Sequence, residues 1–350
     1  MSEARWRAIR LTLVGLFGVG YLWWFATRGI IINHVLVLSS IGLFFAVGTI
    51  GHPPRRWLQS SGDFVLFATM WLAYAESRGL DDGIGLPIQV ESVRNVDRVF
   101  FLGADGVVWL QETFLAPVGT VRWYDVIGSM VYYSHFIVPP VTISVLWFVN
   151  RHQWVRYMRR FATMLFVGCA MFVVLPTAPP WMAGDPEYGY GALPELRRPT
   201  GNGWRHLGLD AAVRAWDTGR DWANPVAAMP SLHSAFSLFF VVFWFRWITD
   251  WRWRSLMLLY PAAMALSLMY FGEHYFADAD LVVFAHGLFN LPSFNEVDEV
   301  RQMHGWGGIE WSFLEGSAHL NLSGGFRDER QGDNPVRRMP HAKGDFVLPL

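Results

Sequence analysis

Seven apolar runs constrain this chain more than anything else in it. They fall at about Leu11–Thr27, Ile30–Ile50, Phe64–Ala75, Tyr124–Val149, Phe161–Val174, Ser231–Ile248 and Leu256–Phe271. A helix crossing the hydrocarbon core of a bilayer needs roughly 17–25 mostly apolar residues. Flanking aromatics lengthen the shorter third and fifth runs. A segment inside lipid must satisfy its own backbone hydrogen bonds, so runs of this kind become helices. Composition agrees: only 16% of the 350 residues are charged and 53% are hydrophobic, against roughly 25% charged in soluble domains. The 19 Trp residues suit a chain with two membrane interfaces. The expected fold is an all-α, polytopic integral membrane helical bundle of about six to seven transmembrane helices. A net charge of -1 leaves no basic surface for nucleic acid. The lone Cys169 excludes an intrachain disulfide.

Arginines orient the runs. Arg5, Arg7 and Arg10 precede the first, and Arg55 and Arg56 follow the second. Arg151, Arg156, Arg159 and Arg160 separate the fourth from the fifth, and Arg252 and Arg254 separate the sixth from the seventh. With all of these on the cytoplasmic side, the runs alternate without conflict. The N-terminus is then cytoplasmic, and the first run is read as an uncleaved span, because no small-residue cleavage pattern follows it. Residues 1–122 hold the first spans and an extracytoplasmic segment. Its amphipathic stretches Val93–Phe101 and Val107–Phe114 are too short to span; interfacial helices and a packed loop are equally good readings. Residues 123–290 form a core. It includes Pro176–Met229, a long segment rich in Pro, Gly and Trp that cannot continue a helix. Residues 291–350 are polar, without a sustained apolar period, and are expected to form a loose tail.

Two short stretches carry chemistry. Ala228-Met229-Pro230-Ser231-Leu232-His233-Ser234 opens the sixth run, and Gly272-Glu273-His274-Tyr275-Phe276-Ala277-Asp278 follows the seventh. Proline suits a first helical turn, whose free N–H groups form an anion site; Ser231 can cap that turn or donate to the anion, and His233 stands beside it. His274 and Asp278, four apart, share a helical face, so the carboxylate can hold one imidazole nitrogen and leave the other free. Taken singly, each stretch reads equally well as a capped helix or a solvated polar pair. Two histidines and a carboxylate could also ligate zinc, although the helix start at Ser231 favours phosphate. Charge-derived topology puts both stretches on the extracytoplasmic side. There, two histidines, an oriented carboxylate and a helix end are what phosphoryl transfer through a covalent intermediate requires: one histidine attacks phosphorus and the other protonates the leaving alkoxide.

Pro230-Ser231-Leu232-His233-Ser234 and His274-Tyr275-Phe276-Ala277-Asp278 resemble the two histidine motifs of the type 2 phosphatidic acid phosphatase superfamily. The nearer likeness is to its inositol phosphorylceramide synthase-like branch, which Leu175-Pro176-Thr177-Ala178-Pro179-Pro180-Trp181 also resembles. The likeness runs over roughly residues 123–278. It implies a helical bundle that needs no metal or other cofactor. By the same resemblance, His274 would be the nucleophile, Asp278 would orient it, His233 would be the general acid, and Ser231 would contact phosphate.

The chain departs from that pattern twice. The superfamily's phosphatases carry an arginine six residues before the nucleophile, where this chain has Leu268, and their first Lys/Arg-containing motif is absent. A dianionic phosphate monoester needs strong cationic clamping, so the missing cations lean towards a diester. Arg78 is the first substitute candidate for phosphate binding, and His135, within the fourth run, is a candidate to line the cavity. The second departure follows Asp278, where Ala279–Leu291 supplies too short an apolar stretch for the family's last span. The expected activity is transfer of a phosphorylated head group, such as phosphoinositol, from a phospholipid donor to a lipid or polyol acceptor. The alternatives are a lipid phosphate phosphatase, with water as acceptor, and an inactive membrane scaffold or transport component.

Overall fold

The computed structural model describes residues 2–278, together with the backbone of 304–313, 318–329 and 337–347; side chains of 78–84, 221 and 222 lie outside that description. The chain divides into two compact units, Met1–Val282 and Val283–Leu350. The first unit therefore spans the expected boundary at residue 122 without a break. Among its described residues the regular elements are helical. The apolar runs become α1 (Glu3–Arg28), α2 (His34–Thr49), α3 (Pro54–Ile84), α6 (Trp123–Ser134), α7 (Val138–Val149), α8 (Arg151–Val174), α12 (Leu232–Trp244), α13 (Trp251–Met257) and α14 (Leu259–Tyr270). The connecting segments supply α4 (Glu91–Phe100), α5 (Gly106–Phe114), α9 (Pro180–Gly184), α10 (Asn202–His206) and α11 (Asp210–Trp222).

Every run is helical, and the helices differ in whether each is long enough to span alone. Among the described residues, two helices, α1 and α8, are long and apolar enough to cross a membrane alone. The pair α6 and α7, bent by 40°, makes a third if it counts as one span. The runs differ because polar residues and breaks cut them. Pro139 and Pro140 start α7 after the break at His135–Ile137, and α12 ends in a 3-10 turn at Phe245–Trp247. Much apolar surface faces outward, including Leu16, Val19, Leu22 and Trp23 on α1 and Val35 on α2. So large an exposed apolar area marks a surface meant for lipid or protein.

Helix α8 is the axis of the main core. Its Trp154, Tyr157, Met158, Phe161 and Phe172 pack with Phe45 of α2, Met70 of α3, Trp147 of α7 and Phe236, Phe239 and Phe243 of α12. Small residues allow the close crossings: a Cβ on Gly168 would sit 2.8 Å from Leu232, and one on Gly203 only 2.6 Å from Ser129. A second cluster joins α6, α10 and α14 through Tyr132, Trp204, Met264, Leu268 and Phe271.

The second unit covers the expected polar tail at 291–350. Its strands β1 (His304–Phe313), β2 (Ala318–Glu329) and β3 (Arg337–Val347) form an antiparallel sheet in the order β1-β2-β3. Ile309 pairs with Leu322, and Leu322 with Gly344. A strand alternates with period two, as Trp311 and Phe313 or Leu320 and Leu322 do, so a search for sustained apolar runs passes over it. Residues 279–291, read from sequence as too short an apolar stretch for the family's last span, lie outside the described residues.

Candidate active site

The site is assembled where three helices end. α8 stops at Val174, and the proline-rich segment after it does not wander. Thr177 N–H donates to Val226 O at 2.7 Å, Ala178 N–H to Gln89 O at 3.0 Å, and Ala228 N–H to Thr177 O at 3.3 Å. Parallel bridges Gln89 to Thr177 and Thr177 to Ala227 stitch three distant segments together. Met229-Pro230 is a cis peptide. Ser231 is the N-cap of α12, so Pro230 stands just outside the helix rather than in its first turn. Its Oγ accepts from Ser234 N–H at 3.3 Å, as capping serines do. The amides of Leu232 and His233 make no hydrogen bond among the described residues, which leaves two donors of the helix end for an anion.

α14 stops through its own backbone chemistry. Gly272 has φ +72°; its N–H donates to Met269 O at 2.9 Å, and Glu273 N–H donates to Leu268 O at 2.9 Å. This is the paired closure of a helix ending on a left-handed glycine. It turns the chain so that His274 follows at once. Leu268, at the position where an arginine was missing, is fully buried in the core.

His274 is 8% exposed and Asp278 is fully buried. His274 Nδ1 lies 2.8 Å from Ala228 O and 3.2 Å from Asp278 Oδ2. A carbonyl can only accept, so Nδ1 carries the proton and Nε2 keeps its lone pair. Asp278 Oδ2 also accepts Tyr275 N–H at 2.9 Å, and Ser231 N–H donates to Asp278 O at 3.3 Å. Asp278 thus joins both sequence stretches, its carboxylate holding His274 and Tyr275 and its backbone carbonyl holding Ser231. The His233 ring lies 5.8 Å from the His274 ring, centre to centre. It is also 4.8 Å from Tyr132 and 4.1 Å from His135. His233 Nε2, His135 Nδ1 and Asp278 Oδ1 are buried with no hydrogen-bond partner. Buried polar atoms are nearly always paired, so three together mark a place where a polar ligand completes the bonding.

The structure thus brings together His274, His233, Asp278, Ser231 and His135. Arg78 lies on α3, but its side chain is outside the described residues. Among those residues no group of three or more His, Cys, Asp or Glu is placed to hold a metal ion.

Sequence reasoning missed the supporting layer. Asp97 of α4, 2% exposed, accepts Ala277 N–H at 3.0 Å and so fixes the turn that carries Asp278. Burial pushes its carboxyl up to about 6; hydrogen bonds from Ala277 and Phe276 oppose this, and the nearby charges of Asp278 and Asp105 add to it. Gln111 of α5 donates to Tyr270 O at 3.0 Å and to Arg197 O at 2.9 Å. The two short helices are therefore packed parts of the site's wall, with Val93, Val107 and Leu110 buried. Glu273 was missed although it adjoins His274. It accepts from Arg198 Nη2 at 2.8 Å and from Thr200 Oγ1 at 2.8 Å.

Known proteins bear on this geometry. The sequence is similar to a phosphoinositol dihydroceramide synthase of Bacteroides thetaiotaomicron, 26% identical over 301 residues, covering 81% of this chain and 94% of that one. No solved structure matches. The sequence model of the PAP2 superfamily matches residues 100–283, more than half of the chain and the whole of the histidine site, so this protein belongs to the PAP2 superfamily.

Proposed function

We propose that this integral membrane enzyme of lipid phosphoesters is a phosphotransferase, moving phosphoinositol from a phospholipid to a lipid alcohol through a phosphohistidine on His274. The observation that carries the reading is the double acceptor at His274 Nδ1, from Ala228 O and Asp278 Oδ2, which leaves Nε2 as a free nucleophile. In the first step Nε2 attacks phosphorus, and the bond from phosphorus to the diacylglycerol oxygen breaks. Protonated His233 gives its proton to that oxygen. In the second step the acceptor hydroxyl gives its proton to His233 while its oxygen attacks phosphorus and the N–P bond breaks. Both steps need His233 within reach of the same phosphoryl group as His274, roughly 2.6–3.2 Å from the oxygen it serves; a ring separation of 5.8 Å leaves room for that group. Free amides at the start of α12, with Ser231 beside them, favour the negative charge that builds on phosphorus oxygens.

A diester donor suits the absence of a cation at Leu268. The relative named for phosphoinositol and dihydroceramide supports the same head group and an alcohol-bearing lipid acceptor. The site opens on the extracytoplasmic side of about seven spans, with the N-terminus cytoplasmic. Supporting this, the 24 residues of α8 separate Arg151 from the site by about 36 Å, and Arg56 shares the far end, over Trp147.

The test supplies purified protein with phosphatidylinositol labelled in the head group, with and without a ceramide-type alcohol, and in parallel with labelled phosphatidic acid. Label should move to the alcohol, with diacylglycerol released in equal amount. Release of free phosphate from phosphatidic acid alone would instead make the protein a hydrolase and sink the transferase reading.

A further inference from the structure

Helix α6 ends at Ser134, α7 begins at Val138, and the pair is bent by 40°. The sequence dictates the break. Pro139 and Pro140 have no N–H, so they cannot bond the carbonyls of His135 and Phe136 as a continuous helix would. The three residues between the helices turn more tightly instead. His135, Phe136 and Ile137 donate their N–H groups to Tyr132 O, Tyr133 O and Ser134 O, at 3.2, 3.0 and 3.0 Å.

This turn sends its side chains two ways. Phe136 and Ile137 are 50% and 51% exposed, while His135 packs against α12. Its ring lies 4.1 Å from His233 and 5.7 Å from Phe236, three residues further along α12. His233 in turn lies 4.8 Å from Tyr132, three residues before His135. Two pairs of rings thus interleave, one pair from each element. Phe136 touches the same group from outside, edge-on to His135 at 5.0 Å and to His233 at 6.0 Å. One half-exposed phenyl ring therefore separates the apolar exterior from the histidine assigned to the leaving and entering oxygens.

Packing does not account for a histidine at 135. A phenyl ring would interleave in the same way, whereas His135 Nδ1 is buried without a partner, which carries a desolvation cost. On the adjoining ring, His233 Nε2 is also buried and unpartnered. One hydroxyl can satisfy both nitrogens, because it donates once and accepts twice, and a ring separation of 4.1 Å is short enough for one oxygen to bridge them. Water would fit those two bonds. The apolar Phe136 and Ile137 on the outer side fit an alcohol carried on a hydrocarbon chain.

We propose that His135 and His233 form the seat of the acceptor hydroxyl, and that the acceptor, a lipid alcohol, reaches it at the α6–α7 break, past Phe136. The proposal rests on the head-group transfer reading and adds where the second substrate sits. Neutral His135 donates Nδ1–H to the hydroxyl oxygen and keeps its proton throughout. His233 Nε2 takes the hydroxyl proton as the oxygen attacks phosphorus and the N–P bond to His274 breaks.

Binding without donor separates this seat from turnover. The detergent-purified full chain is titrated with a short-chain ceramide and with its deoxy analogue, which lacks the primary hydroxyl. Wild type should bind the alcohol about tenfold tighter or more. His135→Phe keeps the interleaved ring, removes the donor and should lose most of that preference. His135→Asn puts an amide N–H near the place of Nδ1 and should keep the preference within about threefold. In the transfer assay His135→Phe should lower kcat/KM for the acceptor about tenfold or more without lowering the thermal midpoint, since it removes an unpaired buried nitrogen; a packing role would lower the midpoint and leave the preference intact. Phe136→Trp should raise KM several-fold more for a long-chain acceptor than for a short one, and an equal change for both overturns the route. A preference for the alcohol that is absent in wild type, or undiminished in His135→Phe, overturns the seat. A wild type that moves no phosphoinositol to any alcohol overturns the transferase reading instead, so the two failures are distinguishable.

Discussion

The two ends of α8 hold buried polar clusters of opposite kinds. At its start, Asp63 is 5% exposed and fully engaged. Arg151 Nη2 donates to its Oδ1 at 2.7 Å, and Trp147 Nε1 donates to its Oδ2 at 2.8 Å. Arg151 lies in addition 4.3 Å over Trp154. At the other end, Asp278 and His274 satisfy one another in part, yet Asp278 Oδ1, His233 Nε2 and His135 Nδ1 have no partner. Burial and polarity are alike; the bonding of the carboxylates is not, since both oxygens of Asp63 are bonded and Asp278 Oδ1 is not, although Trp154 Nε1 beside Arg151 also lacks a partner. A closed cluster returns its desolvation cost through its own bonds and serves packing, while an open one is completed by what binds.

The largest effect that tests this contrast is at the nucleophile. His274→Ala should lower head-group transfer per folded molecule by about 10⁴-fold or more. Asp278→Asn should follow, lowering kcat by roughly 10²–10⁴, because an amide no longer offsets the positive charge that builds on His274 as its Nε2 attacks, although Ala228 O still holds Nδ1–H. Rates within tenfold of wild type for either variant would strip the open cluster of its catalytic reading.

The closed cluster should answer in stability alone. Arg151→Ala leaves the Asp63 carboxylate buried without its cation, a change that costs about 3 kcal/mol. The thermal midpoint should drop by several degrees while kcat per folded molecule stays as it was. A fall in kcat at unchanged midpoint would erase the distinction between the two ends.

Much of this organisation was legible in the chain, and what escaped shares a cause. Each apolar run became a helix because period and hydrophobicity are local. The histidine stretches could be paired because each abuts a run and distant arginines give both the same expected side. Long-range backbone and side-chain bonds leave no such trace. Nothing in Val-Asp-Arg-Val-Phe-Phe says that Asp97 caps a turn 180 residues away, and nothing near Thr177 reveals its bond to Val226. Glu273 stood in plain view beside His274, but its role depends on Arg198, which sequence spacing does not link to it. The number of spans is less legible for a related reason: run length does not reveal where prolines and polar residues break a helix, as they do between α6 and α7.

The smallest predicted effect lies between the two clusters in kind, at Asp97, which is bonded like the closed end but serves the open one. Burial raises its carboxyl to about 6 from an ordinary 3.8. The folded chain therefore holds this proton more tightly than the unfolded chain does. Between those values the unfolded state binds fewer protons, so stability falls as pH rises. Whatever Asp97 contributes through its proton is fully present below about 4 and is lost as pH climbs through about 6. Asp97→Asn keeps an oxygen for Ala277 N–H and removes the titration. The midpoint of the variant relative to wild type should therefore rise between pH 4 and pH 7, and parallel curves would show that Asp97 does not titrate there. Asp97→Ala removes the cap as well and should cost about 1 kcal/mol at every pH. It should also lower kcat, because the turn that presents Asp278 to His274 loses its outside anchor.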